Sequence, residues 1–143
     1  MIKQIIWAII AVFVSWSILD FLIHGVLLKS SYQTTAHLWR PEDEMNMPLM
    51  SVVTLIFSGC FVVIYSVMIH PKSIATGIKF GLLLGIASGV SMGFGSYCYM
   101  PISFDLALSW FIATLVEITL AGLIVGLMVK PAVANDMENT SLL

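Results

Sequence analysis

The sequence predicts an all-α polytopic membrane protein in which four transmembrane helices form an up-down bundle. Apolar residues make up 59% of the 143-residue chain and charged residues only 10%, whereas soluble domains carry about 25% charged residues. The mean hydropathy is +1.02. The charged residues are also segregated, which leaves four mostly apolar runs of about 20 residues or more, the length that a helix needs to cross a bilayer.

These runs place the four spans at about 5–28, 47–69, 74–100 and 106–129, with short connections apart from 29–46. We therefore expect one transmembrane domain over residues 1–134, followed by a polar C-terminal tail, 135–143, that is too short to pack. The apolar stretch of the first span exceeds the roughly 7–15 residues of a cleavable signal peptide. It is expected to be a retained signal anchor.

Lysine and arginine are distributed unevenly between the two sets of helix ends. Four of them lie at the N-terminus, in the second connection and after the fourth span, against two in the 29–46 loop. Because cytoplasmic loops carry an excess of these residues, we expect both termini in the cytoplasm and the 29–46 loop outside.

Glycines at strict four-residue spacing run along the third span, and two more repeat the spacing in the fourth. Small residues at i and i+4 allow two helix backbones to approach closely, which is a usual route to tight packing in lipid. We expect a helix-packing seam, or glycine zipper, formed by Gly77, Gly81, Gly85, Gly89, Gly93, Gly122 and Gly126. The seam either joins helices of this chain, with the fourth span as a natural partner, or docks another subunit. The sequence does not separate the two.

Two acids and a histidine interrupt the apolar runs. An ionisable group at mid-membrane costs roughly 2.5–3.5 kcal/mol, so such residues usually face a bundle interior or a wet cavity. Asp20 and His24 share one helical face, and Thr114 shares a face with Glu117. Asp20 and Glu117 differ in depth by about one helical turn. We therefore predict an intramembrane polar cluster of Asp20, His24, Glu117 and Thr114, provided that the first and fourth spans are neighbours.

Three interpretations of this cluster stay open. Carboxyl and imidazole groups in a low dielectric have displaced pKa values and can relay protons or hold a ligand. The two oxygens and one nitrogen of Asp20, His24 and Glu117 are also compatible with a divalent metal. In the third interpretation, the groups hydrogen-bond one another or the backbone and fix the helix register.

The sequence requires no cofactor. A b-type haem needs two axial ligands at suitable spacing, and His24 and His70 lie toward opposite membrane faces while His37 lies in the loop, which argues against intrinsic haem. Soft thioethers prefer Cu(I). His37 with Met45, Met47 and Met50 is therefore a speculative copper site, although methionine is also a common apolar residue at the start of a helix.

Two short runs carry a family resemblance. The run 20–25 (Asp-Phe-Leu-Ile-His-Gly) together with 38–45 (Leu-Trp-Arg-Pro-Glu-Asp-Glu-Met) resembles small uncharacterised bacterial inner-membrane proteins of the domain-of-unknown-function kind. The resemblance covers about the first third of the chain. It implies a multi-pass protein of the bacterial cytoplasmic membrane and transfers no activity.

The leading hypothesis for function is an accessory or assembly subunit that docks to a larger integral-membrane complex or forms a homo-oligomer. The chain has little extramembrane mass and a glycine seam, and it contains no Ser/His or His-Glu-x-x-His arrangement, so we expect no enzyme. The net charge of −2, the pI near 5.8 and the lack of a basic patch argue against nucleic-acid binding. The lipid bilayer is the expected environment.

Two alternatives belong to other classes of function. One is a small transporter or an ion- or proton-handling protein that uses Asp20, His24 and Glu117, and a helix break at 93–101 would favour it. The other is a copper-binding membrane protein with its site on the periplasmic face. The sequence identifies neither a partner complex nor a transported substrate.

Overall fold

A computed structural model describes residues 2–131, and the predicted tail at 135–143 lies outside the described residues. Four helices are long and apolar enough to cross a membrane, namely Ile2–Leu27, Met47–Met68, Ile74–Tyr99 and Phe104–Met128. The described residues contain no β-strand. The predicted all-α fold with four transmembrane helices is confirmed, and each span ends within one helical turn of its predicted position.

The first span combines two kinds of helix. Its first part, α1 (Ile2–Asp20), continues into a π-helical segment over Phe21–Leu27. The amide of Leu28 donates to the carbonyl of Ile23 at 2.8 Å, which is the i→i+5 hydrogen bond of a π-helix. Such segments often lie at functional sites, and this one contains His24.

The second span begins at a polar cap after the loop. The short helix α2 (Lys29–Thr34) precedes two 3-10 turns, and α3 (Met47–Met68) then starts where the Asn46 side chain accepts a hydrogen bond from the Leu49 amide at 3.0 Å. Pro48 lies in the first turn of α3, where its missing N–H costs no helical hydrogen bond.

The third span is continuous. It consists of α4 (Ile74–Gly89), a π-helical segment over Val90–Gly95 and α5 (Ser96–Tyr99). The candidate break over 93–101 does not interrupt the span, because the helix continues through Gly93 and ends at Tyr99. The end there follows from Pro101, since a residue that precedes proline disfavours the helical conformation and Met100 is extended.

The fourth span is α6 (Phe104–Met128). Its first turn is capped by Ser103, whose hydroxyl accepts a hydrogen bond from the Leu106 amide at 3.2 Å, and Asp105 complements the positive end of the helix dipole. We call the end of the bundle that carries residues 29–46 the loop end. The opposite end, with residues 69–73 and Lys130, is the terminal end.

The third and fourth spans pack backbone to backbone. A Cβ atom added to Gly81 would lie only 2.6 Å from the carbonyl oxygen of Ile118, and one added to Gly89 would lie 2.9 Å from that of Phe111. Only glycine permits this approach. All seven glycines named as the seam lie in this interface, so the seam is internal to the chain: Gly77, Gly81, Gly85, Gly89, Gly93, Gly122 and Gly126.

The main core fills the half of the bundle next to the terminal end. There α1, α3 and α6 meet through side chains at four-residue spacing on each helix, and the α4 ring Phe80 packs on Phe61 with centroids 4.8 Å apart. The fully or nearly fully buried residues are Ala8, Val12, Trp16, Phe61, Val62, Tyr65, Ile118, Ala121, Val125 and Val129.

A smaller core lies at the loop end. It is built on the start of α6, and the loop folds over it. The buried members are Ile102, Leu106, Ala107 and Trp110, and the side chains packed on them include Leu28, Tyr32, Leu38 and Trp39.

The half of α3 next to the loop end packs on very little. Every buried residue of α3 lies at Ser58 or beyond it, so Met47–Phe57 contributes none, and the π-helical segment Phe21–Leu27 contributes none either. The rings of Trp16 and Phe57 mark the end of this half, with centroids 5.3 Å apart. From there toward the loop end, the side chains of α3 are exposed except for the half-buried Thr54, whereas Asp20 and His24 of the first span are half-buried.

Candidate functional site

Tyr32 is the centre of a hydrogen-bond network at the loop end. Its hydroxyl accepts a hydrogen bond from Trp110 Nε1 at 2.8 Å and lies 2.5 Å from His24 Nδ1. An indole N–H only donates, so the hydroxyl hydrogen of Tyr32 is free to donate to His24. With a neutral imidazole, this network assigns the acceptor role to Nδ1 and the proton to Nε2.

Aromatic rings surround this hydroxyl. Trp39 packs edge-on against Tyr32 with centroids 5.5 Å apart and lies 5.9 Å from the ring of Trp110, while its Nε1 donates to Thr35 Oγ1 at 2.9 Å. Burial raises the pKa of Tyr32 above its ordinary value of about 10, although the hydrogen bond from Trp110 acts in the opposite direction. The contacts of Tyr32 and Trp39 with Trp110 fix the loop to the start of α6.

Asp20 and Glu117 lie close enough for their charges to interact. The Asp20 carboxyl is within electrostatic range of both His24 and Glu117. Next to this pair, Trp16 Nε1 donates to the backbone oxygen of Glu117 at 2.9 Å and joins α1 to α6. The first and fourth spans are therefore neighbours, which is the condition that the predicted cluster required.

Neither carboxyl group forms a side-chain hydrogen bond within residues 2–131, and Glu117 Oε1 is also inaccessible. A buried carboxyl oxygen without a partner is costly in a low dielectric, because it has lost its water without gaining a donor.

The predicted cluster divides into two parts. His24 forms its hydrogen bond with Tyr32, on the side toward the loop, while Asp20 and Glu117 lie closer to the middle of the bundle. Thr114 is half-buried. Within residues 2–131, no side-chain hydrogen bond joins these four residues to one another.

The metal interpretation of the cluster gains no support from the part of the chain that the structure describes. No group of three or more His, Cys, Asp or Glu side chains between residues 2 and 131 is arranged to hold a metal ion. The reason is that His24 is directed to Tyr32 rather than to the two carboxyls.

The speculative copper residues all lie at the loop end. His37 is part of a 3-10 turn after α2, and Met45, Met47 and Met50 lie at or just before the start of α3. All four are exposed. Their geometry does not test the copper hypothesis, which stays a prediction.

The interior between the acids and the terminal end is mostly apolar. Ala8, Val12, Val62 and Val125 are completely buried there, and the polar residues Ser58 and Ser66 of α3 are also buried.

The sequence does not predict the role of Tyr32. Aromatic residues such as Tyr32 and Trp39 are common at the membrane interface, and that pattern indicates no hydrogen-bond network. Tyr32 follows His24 by eight residues, but the π-helical segment and the start of α2 lie between them, so no helical spacing predicts their hydrogen bond. The donor function of Trp110 depends on the folded loop in the same way.

Comparisons of the chain with protein-family models, curated proteins and solved structures found no match. The resemblance to small bacterial inner-membrane proteins stays a prediction.

Proposed function

We propose that the protein is an accessory subunit that docks within the membrane to a larger integral-membrane complex. We place it in the cytoplasmic membrane of a bacterium, with both termini in the cytoplasm. The observation that carries the proposal is the unpacked half of α3, Met47–Phe57.

The exposure of this half-helix favours an intermolecular role. Val53 is 58% exposed and Leu49 is 56% exposed, and Gly59, just beyond this half of α3, has nothing within 4 Å of the place where a Cβ would lie. Helices associate in membranes through close packing and small residues rather than through the hydrophobic effect. A helix that is anchored at one end only, with a glycine that its own chain does not use, offers such a contact surface.

The rest of the molecule supports binding rather than catalysis. Two open surface grooves are lined mainly by apolar side chains, one along Ile78 and Leu120 and the other along Phe80 and Leu83. Grooves of this kind fit lipid chains or helices. The glycine seam no longer supports docking, because it is used inside the chain.

Site-specific photo-cross-linking in cells tests the proposal. A photoreactive residue at Val53 should give one discrete adduct with another integral-membrane protein, which also co-purifies in mild detergent. The matched control is Val67, which is 65% exposed on the terminal half of the same helix and should give no such adduct. Equal background labelling from both positions would contradict the proposal.

A second candidate function is proton or ion handling. It is favoured by the proximity of Asp20 to Glu117 and by the chain of polar groups from His24 to Tyr32. The interior beyond Glu117 is mostly apolar, so we propose that another subunit would supply the remaining half of any path.

A further inference from the structure

The membrane-embedded middle of the described chain contains acids but no matching lysine or arginine. The cationic side chains lie near the helix ends or in the connections: Lys3, Lys29, Arg40, Lys72, Lys79 and Lys130. His24 is the one basic group near the acids in residues 2–131, and its Nδ1 is occupied by Tyr32. The Asp20–Glu117 pair therefore lacks a counter-charge.

The acid pair lies beside the unpacked part of α3. Asp20 follows Trp16 by four residues, so it lies one turn nearer the loop end on the same face of α1. Trp16 contacts Phe57, the residue at which the unpacked half of α3 ends. One turn nearer the loop end, Asp20 is only half-buried and lies within electrostatic range of Glu117.

We propose that a transmembrane helix of the partner subunit docks along Met47–Phe57 and presents a lysine or arginine side chain to Asp20 and Glu117. The inference rests on the proposed accessory function and adds the chemistry of the partner. Ionisable groups inside membranes pair with groups of opposite charge. A long basic side chain would bring its charge to the carboxyls while its aliphatic stem lies on the apolar surface of α1 and α3.

Charge argues against a second copy of this chain as the occupant, and depth argues against a lipid headgroup. A second copy docked through the same face would bring four acids together without a cation. An amine lipid headgroup lies at the membrane surface, whereas Glu117 is 13 residues from Phe104, or roughly 20 Å along α6. A basic side chain on a helix reaches that depth.

A defined peptide tests the charge recognition without knowledge of the natural partner. The full-length protein, with a photoreactive residue at Val53, is reconstituted in phosphatidylcholine vesicles with a leucine/alanine helix of about 20 residues that carries one central lysine. Matched peptides carry leucine or glutamate at that position. We expect roughly tenfold more adduct with the lysine peptide than with the leucine peptide, and least with glutamate.

Variants of the protein identify the groups that recognise the lysine. In the double variant Asp20→Asn/Glu117→Gln, the amount of adduct with the lysine peptide should fall to the amount with the leucine peptide. Asp105→Asn is the same kind of change at an exposed acid near the start of α6. It should not alter the difference in adduct between the lysine and leucine peptides. The peptide series on the unmodified protein does not depend on how the double variant folds.

The possible outcomes separate this inference from the proposed function. The inference would be overturned if the lysine and leucine peptides were captured equally, or if a folded double variant captured the lysine peptide as well as the unmodified protein does. Adducts that contain mainly lipid or a second copy of the chain would also overturn it. A cellular partner that cross-links at Val53 but carries no basic residue at that depth would overturn the inference and leave the accessory function standing. If Val53 captures no cellular protein, the accessory function fails, whatever the peptides do.

Discussion

At the scale of single residues, one hydroxyl organises the loop end. Tyr32 lies on α2 and is bonded to His24 of the first span and Trp110 of the fourth, so it joins the loop to the ends of both spans. Asp20 and Glu117 lie deeper, and their closeness was predictable because the rise per residue fixes depth along a helix. The bonds of Tyr32 were not predictable, since they depend on the path of the loop.

The Tyr32→Phe variant should be less stable than the unmodified protein. It leaves the buried indole N–H of Trp110 and the imidazole of His24 without their partner, which costs about 1–3 kcal/mol. The measurement is thermal unfolding in detergent, followed by tryptophan fluorescence. The same change at the exposed Tyr97 is the control, and an equal effect at both positions would contradict the assigned network.

The same variant should also have a different pH dependence. Burial raises the pKa of Tyr32 in the folded protein above its unfolded value of about 10, so the neutral hydroxyl is favoured by folding. The resulting stability is full below the unfolded pKa and is lost as the pH rises from there through the folded pKa. Between about pH 9 and 11, the unfolding temperature should fall more for the unmodified protein than for Tyr32→Phe. An equal fall in the unfolding temperature of both proteins over this pH range would contradict the prediction.

At the scale of elements, the helix pairs differ in how they are held together. The third and fourth spans are in backbone contact through glycines, whereas α1 and α3 pack through large side chains near the terminal end. The four-residue glycine spacing and the polar caps made these spans predictable. The π-helical segments were not, because a change from i→i+4 to i→i+5 bonding follows from tertiary packing rather than from a local sequence signal.

Alanine substitutions should distinguish glycines by their surroundings. Gly81→Ala should destabilise the protein, because the new Cβ would lie 2.6 Å from the Ile118 carbonyl oxygen, and Gly85→Ala should cost less because its nearest atom lies at 3.2 Å. Gly59→Ala meets open space and should be neutral or stabilising by up to about 1 kcal/mol through helix propensity. Thermal unfolding in detergent measures the order of stability of the three variants. Similar effects at all three positions would disprove the backbone contact.

At the scale of the whole molecule, the two ends of the bundle have different roles. The half next to the terminal end is filled by a continuous apolar core, while the loop end carries the polar network and the unpacked half of α3. A packed half at the terminal end and an exposed half-helix at the loop end fit a subunit that folds by itself and binds a neighbouring subunit. The sequence predicted the spans but not this asymmetry, since burial depends on which helices meet.

Orientation in the membrane is tested with reporter fusions. With both termini in the cytoplasm, a reporter fused after Lys130 should be active as a cytoplasmic fusion, and one inserted near His37 should be active as a periplasmic fusion. The physical reason is the excess of lysine on the side of the termini. The reverse pattern would invert the orientation and place the polar network on the cytoplasmic side.

The central claim is that this chain functions inside a larger complex. The most direct measurement is the mass and composition of the tagged protein after extraction from its own membranes in mild detergent. We predict a single species well above the 15.7 kDa chain with its detergent, containing a second integral-membrane protein in fixed stoichiometry. A species that contains this chain alone, as a monomer or as a homo-oligomer, would contradict the account.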